Sequence, residues 1–204
     1  MNMKLILAHR GFVKLFKDNT IKSFSHIFNY KNTNKYNLGI ELDVNLTQDD
    51  KLIVYHDEYI KDTKINDLSY KVITSIDKDI PLLDEVLSLF NNTNYYIDIE
   101  LKEYPINKAK YCDNVLDIVS KYNINYFISS FNNSIVTYLR CKNNKVLLLG
   151  KNADIVHYTD DITKETKGVY TLHDKDFKDI YIAKVKDLDI IISDDLDSSI
   201  ALFC

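Results

Sequence analysis

The 204-residue chain lacks a long apolar run, a paired set of cysteines, an excess of positive charge and any internal repeat. Each absence closes off a class of function. The opening MNMKLILAHRG holds only the short run Leu5–Ala8 before His9 and Arg10. That is too brief for a signal-peptide core and far too brief for a membrane span, so the expectation is a cytoplasmic protein with neither. Cys112, Cys141 and Cys204 are odd in number, widely spaced and without a CxxC pair. They read as free thiols in a reducing compartment, not as a disulfide frame or zinc site. With a net charge of −4 and lysines scattered among Asp and Glu, the chain has no electrostatic footprint for nucleic acid. Without a linker or repeat, the expectation is a single domain over residues 1–204, long enough to bury a full core.

What is present alternates between two periods. Leu5–His9, Leu38–Val44, Tyr95–Lys102, Asn125–Ser130, Lys145–Gly150, Ala153–Tyr158, Lys167–His173 and Leu188–Asp194 read as strands. Leu52–His56 reads as the return arm of a hairpin, joined to Leu38–Val44 by the polar turn Thr47–Lys51. Helical spacing is expected over Asp18–Tyr30, with Asn19 or Thr20 as N-cap, and over Ile80–Phe90, with Pro81 in the first turn. Further helices are expected at Lys108–Lys121, Asn133–Cys141 and Lys175–Lys186. Strand–helix alternation with eight such strands predicts an α/β protein, a (β/α)8 TIM barrel trimmed in its C-terminal half. The trimming has a location: KVLLLG runs almost directly into ADIVHY, where a parallel crossover normally needs about a dozen residues. Either a helix is absent there or one of the two strands is misassigned.

Two strands carry paired acids. In GIELDV, Ile40, Leu42 and Val44 fall on one side and Glu41 and Asp43 on the other. In YYIDIELK, Ile97, Ile99 and Leu101 oppose Asp98, Glu100 and Lys102. A single strand of this kind is ordinarily a solvated face, but two matched strands in a barrel point carboxylates inward. Clustered carboxylates repel and hold protons unless a cation neutralises them, and an all-oxygen set suits one hard divalent ion, Mg²⁺ or Ca²⁺. His9 and His56 stand at strand ends, and imidazoles titrate near neutrality, which suits a general acid and base. Arg10 can fork two donors onto a phosphate, and Lys102 adds a compact charge. Gly11 is expected to let the backbone approach a ligand closely. His26, His157 and His173 are set aside as structural or surface residues.

AHRG (8–11), DNT (18–20), IELDV (40–44), VYHD (54–57), IPLLDEVL (80–87) and IELK (99–102) stand in an order that resembles the glycerophosphodiester phosphodiesterase family. The likeness continues more weakly through SSF (129–131), VYTLH (169–173) and IISDDLD (191–197). The resemblance implies a metal-dependent phosphodiesterase of lipid metabolism, releasing glycerol 3-phosphate and an alcohol. It matches His9 and His56 to the acid–base histidines, and Glu41, Asp43 and Glu100 to the metal ligands. Arg10 and Lys102 match the phosphate contacts. The implied partner is a small phosphodiester or lysophospholipid, attacked by water or by its own neighbouring glycerol hydroxyl. There are departures: Lys17–Thr20 stands where the family reads PENT, Asp98 where asparagine is common, Tyr170 for a tryptophan and His173 for an asparagine. The alternatives are a non-catalytic barrel relative binding a phosphorylated ligand, and a lysophospholipase D-type activity. A metal-free carboxylate-pair glycosidase would leave His9, His56 and Arg10 at the strand ends unexplained.

Overall fold

A computed structural model describes residues 4–103, 107–143, 145–158, 160, 162–173 and 187–203. Its strands are β1 (Lys4–Ala8), β2 (Tyr36–Leu46), β3 (Leu52–Val54), β4 (Tyr59–Ile60), β5 (Thr63–Lys64), β6 (Tyr96–Leu101), β7 (Asn125–Ser130), β8 (Val146–Leu148), β9 (Ile155–His157), β10 (Gly168–Leu172) and β11 (Ile190–Ser193). Its α-helices are α1 (Ile21–Ser25), α2 (Tyr70–Ile76), α3 (Leu83–Phe90), α4 (Lys108–Val119), α5 (Asn133–Arg140) and α6 (Leu196–Ala201). Eight strands run parallel round a ring in the order β1, β2, β6, β7, β8, β9, β10, β11 and back to β1. Among the described residues only the bridge from Leu149 to Ile155 joins β8 to β9, so the (β/α)8 barrel is nearly closed. From Leu149 the pairings lead through Ile155, Gly168 and Ile190 to Leu5, and the other way, through β7, β6 and β2, to the level of Val13. The eight residues from Leu5 to Val13 are the shear that an eight-stranded barrel of this class requires.

Both strands at the short corner are real, and the helix between them is absent. Ile155 pairs with the residue just past the end of β8, so the chain continues towards the C-terminal rim instead of returning to the bottom. No crossover helix is then needed, and residues 150–154 make the link. Asp154 staples it: its carboxylate accepts from Leu148 N at 2.8 Å and from Arg140 Nη2 at 2.5 Å, and lies 3.1 Å from Lys167 Nζ.

The alternation along the strands sorts their side chains as expected. Ile40, Leu42, Val44, Ile97, Ile99 and Leu101 pack outward against helix residues such as Phe24, Val86 and Val115. Leu7, Phe127, Leu149, Ile155 and Ile192 fill the interior. Gly39 is required where it stands, because a Cβ there would run into the backbone of Tyr96 on the neighbouring strand.

Several boundaries differ from the sequence expectation. The helix expected over 18–30 begins at Ile21 behind the N-cap Thr20 and passes at His26 into a 3-10 turn. It cannot begin earlier, because Asn19 holds φ +54°. The helix expected from Ile80 begins at Leu83, since Leu82 bridges Ile53 and Pro81 O accepts from Val54 N at 2.9 Å, which keeps the lead-in extended. The hairpin β4–β5 and helix α2 have no counterpart in the sequence reading. In α2 the β-branched Val72, Ile73, Thr74 and Ile76 mask a helical signal. The helix expected at 175–186 lies outside the described residues, as does Cys204; Cys112 and Cys141 are free thiols.

Candidate active site

Strands β2 and β6 lie side by side with Glu41 opposite Asp98 and Asp43 opposite Glu100. All four acids are buried on the inner side, at 8% exposure or less. Glu41, Asp43 and Glu100 each offer an oxygen within 4.8 Å of the others. Burial pushes the Glu41 carboxyl well up, and the charges of Asp43 and Glu100 add to it. Burial and Asp43 raise Glu100 to about 7, although Lys102 opposes them. Burial also raises Asp43, but Lys102 and Arg10 outweigh it and hold that group below the ordinary range. Glu41 Oε1 is buried without a hydrogen-bond partner among the described residues. An unpaired buried oxygen in a cluster that burial drives towards protonation is what a hard divalent ion would relieve, so the donor set fits one.

Cations and amides already lean on this cluster. Lys102 Nζ lies 3.1 Å from Asp43 Oδ1 and 2.6 Å from Glu100 Oε1. Burial lowers the Lys102 ammonium, but these two carboxylates raise it further and keep it charged. Arg10 turns its Nε to within 3.2 Å of Asp43 Oδ2 and gives its backbone N–H to Glu41 Oε2 at 2.8 Å. Asn19 Nδ2 donates to Asp43 Oδ2 at 2.8 Å. Arg10 and Asn19 are both left-handed, at φ +52° and +54°, and their backbones are joined at 2.9 Å. Gly11 departs from expectation: its φ of +82° serves a tight turn, and a Cβ would strike Ser23, so the space is used by α1 rather than by a ligand.

Each candidate histidine has an aspartate on Nδ1. His9 Nδ1 lies 2.7 Å from Asp194 Oδ1 at the end of β11, and His9 Nε2 lies 3.9 Å from Glu41 Oε2. His56 Nδ1 lies 2.7 Å from Asp57 Oδ1. A carboxylate on Nδ1 places a proton there and leaves Nε2 to exchange one with a substrate. Burial lowers the His56 imidazole, with Lys102 and Arg10 adding to it against Asp43 and Asp57. Asp194 also bonds His173 Nδ1 through its other oxygen. Burial would raise Asp194, yet the two histidines hold it below the ordinary range.

His9, Arg10, Glu41, His56, Glu100 and Lys102 line one cavity of about 140 Å³, walled on its apolar side by Phe131, Leu149, Tyr170 and Ile192. Asp43 lies under its floor, fully buried and bonded to Lys102. The seven residues singled out from sequence are therefore brought together. Sequence reasoning missed Asp194 and Asp57 as partners of the two histidines and His173 as the second partner of Asp194, and assigned Asn19 only to a helix cap. Asp194 had a readable signal, since it follows the C-terminal end of a barrel strand. Asp98 sits one layer deeper and accepts from Ser129 Oγ at 2.6 Å. Burial drives its carboxyl well up, with Glu100 and Asp43 adding to the shift against the Ser129 bond, and this favours a neutral group there.

A family model described as the glycerophosphoryl diester phosphodiesterase family matches residues 9–188. The uncharacterized protein YqiK of Bacillus subtilis is 32% identical over 148 residues, which is 64% of this chain and 59% of that one. The match thus spans about three fifths of that relative's length. A glycerophosphodiester phosphodiesterase of Bacillus altitudinis is 29% identical over 177 residues, 78% of this chain and 70% of that one. Among solved structures, a glycerophosphodiester phosphodiesterase from Thermotoga maritima superposes with a TM-score of 0.78 at 23% identity, covering 99% of both chains. At that identity the likeness speaks to the fold.

Proposed function

The chain belongs to the glycerophosphoryl diester phosphodiesterase family, and from that premise we propose that it hydrolyses glycerophosphodiesters to glycerol 3-phosphate and an alcohol. The observation that carries this reading is one cavity in which two aspartate-backed histidines face a buried carboxylate cluster and two cations. Glu41, Asp43 and Glu100 would hold a single Mg²⁺ or Ca²⁺. Bound there, such an ion would draw negative charge from a phosphoryl oxygen. Arg10 and Lys102 bind and orient the phosphodiester, and their charges stabilise the build-up in the transition state. One of His9 and His56 takes a proton at Nε2 from the nucleophile, and the other returns a proton from Nε2 to the leaving alkoxide. Asp194 and Asp57 hold those rings in the tautomer the exchange needs. The nucleophile is water or the neighbouring glycerol hydroxyl, and a cyclic glycerol phosphate among early products marks the second route.

The same reading takes residues 1–204 as one domain and places the protein in the cytoplasm. Its support is the pair of unbridged thiols and the lack, among the described residues, of a helix long and apolar enough to cross a membrane. The test is glycerol 3-phosphate release from a panel of glycerophosphodiesters and lysophospholipids, run with chelator and then with each ion. Activity should vanish with chelator and return with Mg²⁺ or Ca²⁺. His9→Ala and His56→Ala should each lose about 10²–10⁴-fold. Near-normal turnover in both variants would sink the acid–base assignment, and a binding barrel without turnover would show ligand affinity alone.

A further inference from the structure

We infer that Asn45 is a positioning residue for His56, holding the backbone on both sides of that imidazole. Strand β3 ends at Val54, so His56 stands on a loop. A loop residue needs outside support to present its ring at one place. Asn45 lies on β2 two residues past Asp43, hence on the same side of the strand, and is 6% exposed. Its Nδ2 donates to Tyr55 O at 2.8 Å and to Asp57 O at 3.3 Å, the carbonyls immediately before and after His56. A primary amide has two hydrogens, and both are committed to this pair. Tyr55 N donates in turn to Asp43 O at 2.9 Å. His56 is thereby referenced to the strand that carries Glu41 and Asp43, while Asp57 on Nδ1 sets the ring itself. Replacing the amide by the isosteric carboxylate removes both donors and sets an oxygen against two carbonyl oxygens. The loop then loses its reference, and misplacement of about 1 Å at a reacting group can cost about 10²-fold.

This inference rests on the reading of His56 as an acid–base group, and the experiment separates the two. Glycerol 3-phosphate release is measured for Asn45→Asp and Asn45→Ser, each with and without His56→Ala, alongside thermal unfolding. Asn45→Asp should lower kcat by about 10- to 100-fold with KM little changed. Asn45→Ser, which keeps one donor, should fall between it and the parent. In the His56→Ala background neither variant should cost more, because the residue it acts through is gone. Parental kcat in a folded Asn45→Asp, or losses that multiply in the double variants, would overturn the inference. Full turnover in His56→Ala alone would overturn the acid–base reading, whatever the Asn45 variants do. Should Asn45→Asp fail to fold, the same comparisons on Asn45→Ser decide.

Discussion

Tyr111 sits on α4, 1% exposed, with its hydroxyl donating to Val44 O at 2.5 Å and accepting from Lys102 N at 3.2 Å. Those two backbone groups lie one residue past Asp43 and two past Glu100, on the strands that carry the acids or at their end. Tyr111→Phe removes this hydroxyl and leaves Val44 O with the Lys102 N–H alone at 3.2 Å, so it should cost about 1 kcal/mol in urea unfolding. Lys102 is a sharper case, because its ammonium neutralises both Asp43 and Glu100. Lys102→Met leaves two buried carboxylates short of charge and should cost about 3–5 kcal/mol in chelator. Added Mg²⁺ or Ca²⁺ should recover part of that loss as a rise in Tm, since an ion that binds only the folded chain stabilises it. At this scale the sequence was most readable where chemistry and periodicity coincide. Glu41, Asp43, Glu100 and Lys102 announce themselves by alternation on two strands. Asn45, Asn19 and Tyr111 are legible only once the backbone brings distant carbonyls and carboxylates beside them.

Among the elements, α6 shows how one side chain can settle an end. Asp195 is its N-cap, accepting from Ser198 N at 3.0 Å and from Lys14 Nζ at 2.7 Å. Burial would raise this carboxyl, but Lys14 and Ser198 outweigh it and hold it at about 2. The unfolded value is about 3.9, so the folded group is the stronger acid. Its stabilisation is therefore full above about pH 4 and is lost as pH falls towards 2. Asp195→Ala should cost about 1–2 kcal/mol at pH 5, with solvent around Lys14 limiting the effect. The gap between variant and parent in urea titrations should narrow at pH 3. Element boundaries were less legible than element types. Helix α3 starts three residues later than the pattern suggests because Leu82 is taken by a strand partner, a tertiary contact that no local window contains.

For the molecule as a whole, the eight-strand count and the missing crossover were both readable, but the reason the omission is tolerated was not. That reason is register: β9 begins where β8 stops, and Asp154 ties α5, β8 and the approach to β10 together. Asp154→Ala should therefore weaken the whole barrel at its thinnest joint, by about 1–2 kcal/mol in urea unfolding, because it leaves the part-buried Leu148 N–H without its acceptor while the pairs with half-exposed Arg140 and Lys167 add little. The parallel ring also has a consequence in time. His9 leaves the first strand and Asp194 follows the last, 185 positions away, and they touch only because β11 docks beside β1. A growing chain thus displays its carboxylates and both imidazoles early, yet stays chemically mute until the final staves of the barrel arrive. Refolding followed by turnover should lag behind refolding followed by far-ultraviolet circular dichroism, and the delay would time the closing of the ring.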